Sequence, residues 1–189
     1  MQGKIRIIGG HWRGRKLDVP DAPGLRPTGD RARETLFNWL GPRVIGAQCL
    51  DLFAGSGALG LEALSRGAAS ATLVERSPVV TQAIARQIAS WPGADKARLV
   101  TADVLSWLDR AGETYSLVFV DPPFDQALQE DVLRGLIEHQ LLGEGGLVYL
   151  ESPASQPALD LSLFPGMTRW KTKTQGQVRL ELLEFRVPG

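Results

Sequence analysis

Four carboxylates and three glycines are spaced along this chain in a way that could hold and use a nucleotide-like cofactor. Asp51 precedes Gly55-Ser56-Gly57 and Gly60, Glu75 and Asp103 follow, and Asp121 opens the run Asp121-Pro122-Pro123-Phe124. Gly55, Gly57 and Gly60 fit G-x-G-x-x-G, in which missing side chains let the backbone turn sharply and approach a ligand at the positive end of a helix. The bare pattern fits equally a tight strand-to-helix turn with no ligand. Glu75 lies 20 residues beyond Gly55, where a carboxylate can accept both hydrogen bonds of a ribose diol. Asp103 fits two roles, a helix cap and a ligand contact. In Asp121-Pro122-Pro123-Phe124 the paired prolines donate no backbone hydrogen bonds and stiffen the chain. The Asp121 carboxylate and the Pro122 carbonyl then stand as fixed acceptors beside an aromatic face, which suits a planar group bearing an NH2.

These residues need a scaffold that brings strand ends together, and the periodicity supplies one. Strands are expected over 48–53, 70–75, 98–101, 115–120 and 146–151, alternating with helices over 57–66, 78–90, 104–110 and 127–139. Ser77-Pro78 is a sound helix start. This βαβ alternation predicts an α/β fold with a mostly parallel sheet and helices on both faces. Ligands bind such sheets beyond the carboxyl ends of the strands, where all four acids stand. Residues 168–174 and 177–187 alternate around Gln175-Gly176, as an antiparallel hairpin closing the sheet edge would. Upstream, Lys4 to Val19 alternates basic and apolar residues about Gly9-Gly10, which predicts a β-hairpin with a basic face. Thr28 would cap a helix that ends at Gly41-Pro42.

Net charge is zero but divided: residues 1–43 hold nine Lys or Arg against four acids, and the remainder twelve against seventeen. A basic arm on an acidic body predicts a polyanionic partner, the alternative being a solvated basic face. The single cysteine, Cys49, excludes a disulfide framework and a cysteine-rich zinc site, and reads as a small buried hydrophobe. No apolar run reaches bilayer-spanning length, and the basic N-terminus lacks a signal peptide's apolar stretch, so a soluble cytoplasmic protein is expected.

Asp51-x-x-x-Gly55-x-Gly57, Glu75 and Asp121-Pro122-Pro123-Phe124 together resemble the cofactor loop, ribose acid and catalytic motif of amino-directed nucleic-acid methyltransferases. Arg6-Ile7-Ile8-Gly9-Gly10, Trp12-Arg13-Gly14-Arg15, Arg26-Pro27-Thr28 and Asp30-Arg31 with Arg33-Glu34-Thr35-Leu36-Phe37 narrow this to the RsmD family, the 16S ribosomal RNA guanine-966 N2-methyltransferases. The resemblance covers nearly the whole chain but gives no motif for 152–165. It implies a Rossmann-like class I methyltransferase of seven strands over 28–189 with an RNA-contacting hairpin arm over 1–27. It assigns S-adenosylmethionine to Asp51, Phe53, Ala54, Gly55, Ser56, Gly57, Gly60, Glu75, Arg76, Asp103 and Val104, and catalysis to Asp121, Pro122 and Phe124. RNA contact falls to Arg13, Arg15, Lys16, Arg26, Thr28, Arg31 and Arg33. The implied partner is 16S ribosomal RNA, free or in an assembling 30S particle, met by a monomer; the transfer requires no metal. Two rivals remain at this level. An NAD-dependent oxidoreductase would use the same glycines, although Asp51 interrupts the apolar strand such proteins favour and no hydride-transfer site follows. A non-catalytic RNA-binding module would have no need of the loop or Asp121.

Overall fold

The computed structural model describes residues 4–18, 29–123 and 126–189. Its elements are β1 (Lys4–Arg6), β2 (Lys16–Asp18), α1 (Asp30–Leu40), β3 (Gln48–Asp51), α2 (Ala58–Ser65), β4 (Ser70–Glu75), α3 (Pro78–Ile88), β5 (Ala97–Thr101), α4 (Val104–Leu108), β6 (Tyr115–Val120), α5 (Gln129–Glu138), β7 (Leu142–Pro153), β8 (Met167–Gln175) and β9 (Val178–Phe185). β3 to β9 form one sheet in the order β5-β4-β3-β6-β7-β9-β8. β5, β4, β3, β6 and β7 run parallel, and β9 pairs antiparallel with both β7 and β8. The chain winds outward from β3 through β4 to β5, then returns to β6, so a topological switch point lies between the carboxyl ends of β3 and β6.

Alternate residues of each central strand feed separate cores. Cys49, Leu73, Leu117 and Tyr149 meet α1, α2 and α3 on one face. Leu50, Val74, Val118 and Val148 meet α4 and α5 on the other. Strands covered on both faces read as continuous apolar runs, which is why they were legible without alternation. Cys49 is buried, and desolvation pushes its thiol up to about 12.

The strand and helix alternation matches expectation, with differences at the ends. The first strand stops at Asp51, and the chain from Leu52 forms a loop held by the Leu52 N–H on the Phe119 carbonyl and the Ala54 N–H on the Val74 carbonyl. β7 starts at Leu142, before the expected 146, because Leu142 pairs with Tyr115 despite the glycines that follow. Gly29 stands at the cap of α1 without a side-chain bond; the expected cap, Thr28, lies outside the described residues.

The N-terminal hairpin pairs Ile5 with Leu17 on its buried face and leaves Lys4, Arg6 and Lys16 exposed. Its apolar residues do not form a core of their own: Ile5, Ile7, Trp12 and Leu17 join the cluster containing α1, α2 and α3. Trp12 packs edge-on against Trp91 and donates its indole N–H to the Pro92 carbonyl at 2.9 Å. Gly10, at φ +75°, brings the connecting loop so close to the end of α2 that a Cβ would stand 1.8 Å from the Ser65 carbonyl oxygen. The main tie is Glu62 of α2, fully buried, whose carboxylate accepts the Ile8 and Gly9 N–H groups at 2.8 Å each. The same carboxylate accepts the Arg66 Nε–H at 2.7 Å and faces Arg33 Nη1 at 3.5 Å. Removing one partner of a buried ion pair strands the other charge, at a cost of about 3–5 kcal/mol. Glu62→Ala is therefore expected to destabilise the protein by about that amount in urea unfolding, and to accelerate hydrogen exchange at Ile8 and Gly9.

Candidate active site

A cleft of about 1600 Å³ opens at the switch point. Asp51, Phe53, Ala54, Gly55, Ser56, Glu75, Arg76, Asp103 and Val104 line it, together with Asp121 and Pro122. Residues from four strand ends thus share one cavity, as parallel-sheet topology predicts. Gly57 and Gly60 are not among its walls. Gly57 takes φ +79° at the start of α2, and a Cβ on Gly60 would stand 3.0 Å from the Leu73 side chain. These two glycines shape the turn and the helix–sheet contact.

Glu75 is no solvated strand end: its carboxylate accepts the Gly55 N–H at 3.1 Å and the Ser77 N–H at 2.8 Å. Each oxygen thereby uses one lone pair on the backbone and keeps another for a ligand. Asp103 caps α4 by accepting the Ser106 N–H at 3.1 Å, and it also lines the cleft. Asp51 is buried and accepts the Gly60 N–H at 2.9 Å, tying β3 to the first turn of α2. Burial pushes its carboxyl up to about 7; the Gly60 bond works against this, and the charges of Asp121 and Glu75 add to it.

Pro122 is buried, and the Pro123 carbonyl accepts the Gln126 N–H at 3.0 Å, which turns the chain toward α5. Phe124 lies outside the described residues, as do Arg26 and Thr28. Of the expected RNA-contact residues, Arg13 and Lys16 are exposed on the hairpin and its loop, and Arg31 lines the cleft. Arg15 is half-buried, its guanidinium 5.1 Å from the Trp91 ring centre. Arg33 corrects the expectation. It is fully buried, bonded to Asp30 at 2.5 Å and to the Arg6 carbonyl at 3.0 Å besides Glu62, and has no surface to offer a phosphate.

Two contributors escaped sequence reasoning. The β8–β9 turn overhangs the cleft with Lys173, Gln175 and Gln177, anchored by Gln175 Nε2 donating to Thr35 Oγ1 at 2.8 Å. Glu151, at the carboxyl end of β7, also lines it, beside Asp121. The strand-end logic that selected the other four acids applied to Glu151 too. Among the described residues no cluster of metal-ligating side chains occurs, and no helix is long and apolar enough to cross a membrane.

A family described as conserved hypothetical protein 95 matches residues 5–184. Ribosomal RNA small subunit methyltransferase D of Escherichia coli K12 is 48% identical over 190 residues, spanning 99% of this chain and 93% of that protein. The chain belongs to the RsmD family. The solved structure of yhhF from Escherichia coli superposes with a TM-score of 0.86 at 46% identity, covering 98% of this chain and 99% of that one. The Rossmann-like class I methyltransferase fold extends further. A Thermus thermophilus 16S rRNA N2 G1207 methyltransferase, solved with AdoMet and guanosine, has a TM-score of 0.68 at 22% identity, covering 98% of this chain and 50% of that one. RsmD membership sets aside the oxidoreductase reading of the glycine pattern.

The donor set fits an adenosyl group. Glu75 presents an oriented carboxylate suited to a diol, Phe53, Val104 and Leu105 supply an apolar wall, and Asp103 offers an acceptor at its rim. The buried acids would complement a cation. Asp51 also gives the fold a pH dependence. Well below pH 4 folded and unfolded states both hold this proton, but between about pH 4 and 7 only the unfolded carboxyl releases it, so stability falls as pH rises through that window. Asp51→Asn keeps an acceptor for Gly60 and cannot ionise. In urea unfolding it should gain on the wild type between pH 4.5 and 8, by on the order of a few kcal/mol.

Proposed function

We propose that this protein methylates the exocyclic N2 amine of one guanine in 16S ribosomal RNA, using S-adenosylmethionine. The observation that best supports this is the single cleft walled by Glu75 and the glycine loop on one side and by Asp121-Pro122 on the other. The name borne by the 48%-identical Escherichia coli relative supports small-subunit ribosomal RNA as the substrate.

The guanine amine is a poor nucleophile because its lone pair is delocalised into the ring. The cofactor supplies a methyl group made electrophilic by an adjacent sulfonium. Asp121 and the Pro122 carbonyl each accept a hydrogen bond from one amine N–H and favour a more tetrahedral nitrogen with its lone pair turned toward the cofactor side of the cleft. Asp121 need not be a strong base, since a methylated nitrogen bearing positive charge is strongly acidic. A stacked base cannot reach this depth, so the guanine enters flipped or unpaired, with Phe124 as its stacking partner by the logic of the motif. Arg13 and Lys16, exposed on the arm, and Arg31 and Lys173 at the cleft are the basic groups offered to the phosphate backbone. The substrate in this reading is RNA within an assembling 30S particle, met by a monomer in the cytoplasm.

Asp121→Ala is expected to lower the single-turnover methylation rate by about 100-fold or more while cofactor affinity by calorimetry changes little; retention of most activity removes Asp121 from the mechanism. Reversing Arg13 and Lys16 to Glu should weaken RNA binding by about tenfold or more at 0.1 M salt and flatten the plot of log affinity against log salt. Equal binding by the variant across that salt range would make the arm purely structural.

A further inference from the structure

Glu151 is placed where a carboxylate is expensive. It is 4% exposed at the end of β7, and opposite it in the sheet stands apolar Leu180. Among the described residues no Lys or Arg forms an ion pair with it. Its Oε1 accepts the Tyr149 hydroxyl at 2.7 Å, and its carboxyl shares a hydrogen bond with Asp121. Its main chain is held too, by Gln129 Nε2 on its carbonyl at 3.1 Å. The backbone, phenol and neighbouring acid thus fix this side chain at the wall of the cleft, next to the carboxylate assigned to the substrate amine.

Two adjacent carboxyls can share a hydrogen bond only if one keeps its proton. Oε1 already accepts from Tyr149, so Glu151 completes the set by acting as donor. We propose that Glu151 is a positioning residue: as a neutral carboxylic acid it donates to Asp121 and holds that group as an oriented anion facing the acceptor amine. This rests on the reading of Asp121 given above. Burial, followed by the charge of Asp121, pushes the Glu151 carboxyl up to about 8, while the Tyr149 bond works the other way. The other charged groups around it are Asp51, on which Asp121 acts, Arg179 opposite Ser152 on β9, and Lys173 at the cleft wall. Arg179 directs Nη2 to the Ala154 carbonyl at 3.3 Å.

The proton has a direct readout. Difference infrared spectra of wild type against Glu151→Gln, with no cofactor or RNA present, should contain a protonated-carboxyl C=O band at pH 7 that disappears with a midpoint near pH 8. Absence of that band at pH 7 overturns the proposal. In single-turnover methylation, Glu151→Gln keeps a donor that cannot ionise. It should retain activity within a few-fold and lack the decline above pH 8 expected of the wild type. Glu151→Leu, which removes the donor, should be slower by about tenfold or more with unchanged cofactor affinity, which also reports that it is folded. A Gln variant with the wild-type alkaline decline, or a Leu variant as fast as the wild type, would sink the idea. The two readings separate at Asp121→Ala: if that variant is fully active, the assignment of Asp121 fails. If it is inactive while Glu151→Leu is normal, only the role of Glu151 fails.

Discussion

Glu62 is the charge on which the arrangement of this protein depends. A carboxylate buried to exclusion of solvent must be saturated with donors, and this one receives two backbone N–H groups from the arm, an arginine from its own helix and another from α1. Three segments far apart in sequence can meet only in the one geometry that satisfies it. The helix carrying Glu62 is preceded by Gly57, in the glycine loop whose Gly55 and Ser56 line the cleft. One rigid element therefore ties the basic hairpin to the loop that lines the cleft.

At the opposite pole of α2 the carboxylates are grouped rather than neutralised. Asp51, Glu75, Asp121 and Glu151 face a common cavity, and burial and mutual repulsion push Asp51 and Glu151 toward their neutral forms. The cluster separates roles by hydrogen bonding. Glu75 is turned outward by two backbone donors, Asp51 is turned inward to Gly60, and Asp121 is left at the mouth of the switch point. Such a site is predisposed to a cation and hostile to a bare phosphate, while the basic Arg31, Arg76 and Lys173 share its lining.

Much of this was legible before folding because it is local. A βα unit advertises itself through apolar runs and periodic stripes, and Ser77 and Asp103 were readable as caps because a cap bond spans three residues. The glycine loop and the Asp-Pro-Pro turn are likewise short stretches whose chemistry lies in consecutive residues. Arg33 was not legible: one more arginine in a basic segment looks like a phosphate contact until Glu62, 29 positions away, claims it. Gly57 and Gly60 matched a ligand motif, yet their neighbours are Leu61 and Leu73 rather than the cavity.

The sequence by itself determined the order of strands and helices, the family motifs and which acids stand at strand ends, since each follows from residue type and short-range spacing. The tertiary structure decided which charges face water and which face each other. It turned Arg33 inward, laid Lys173 over the cleft and set Glu151 against Asp121. These outcomes follow from sheet order and desolvation, and both are long-range properties: strand neighbours are chosen across the whole chain, and a group's charge state depends on everything packed around it.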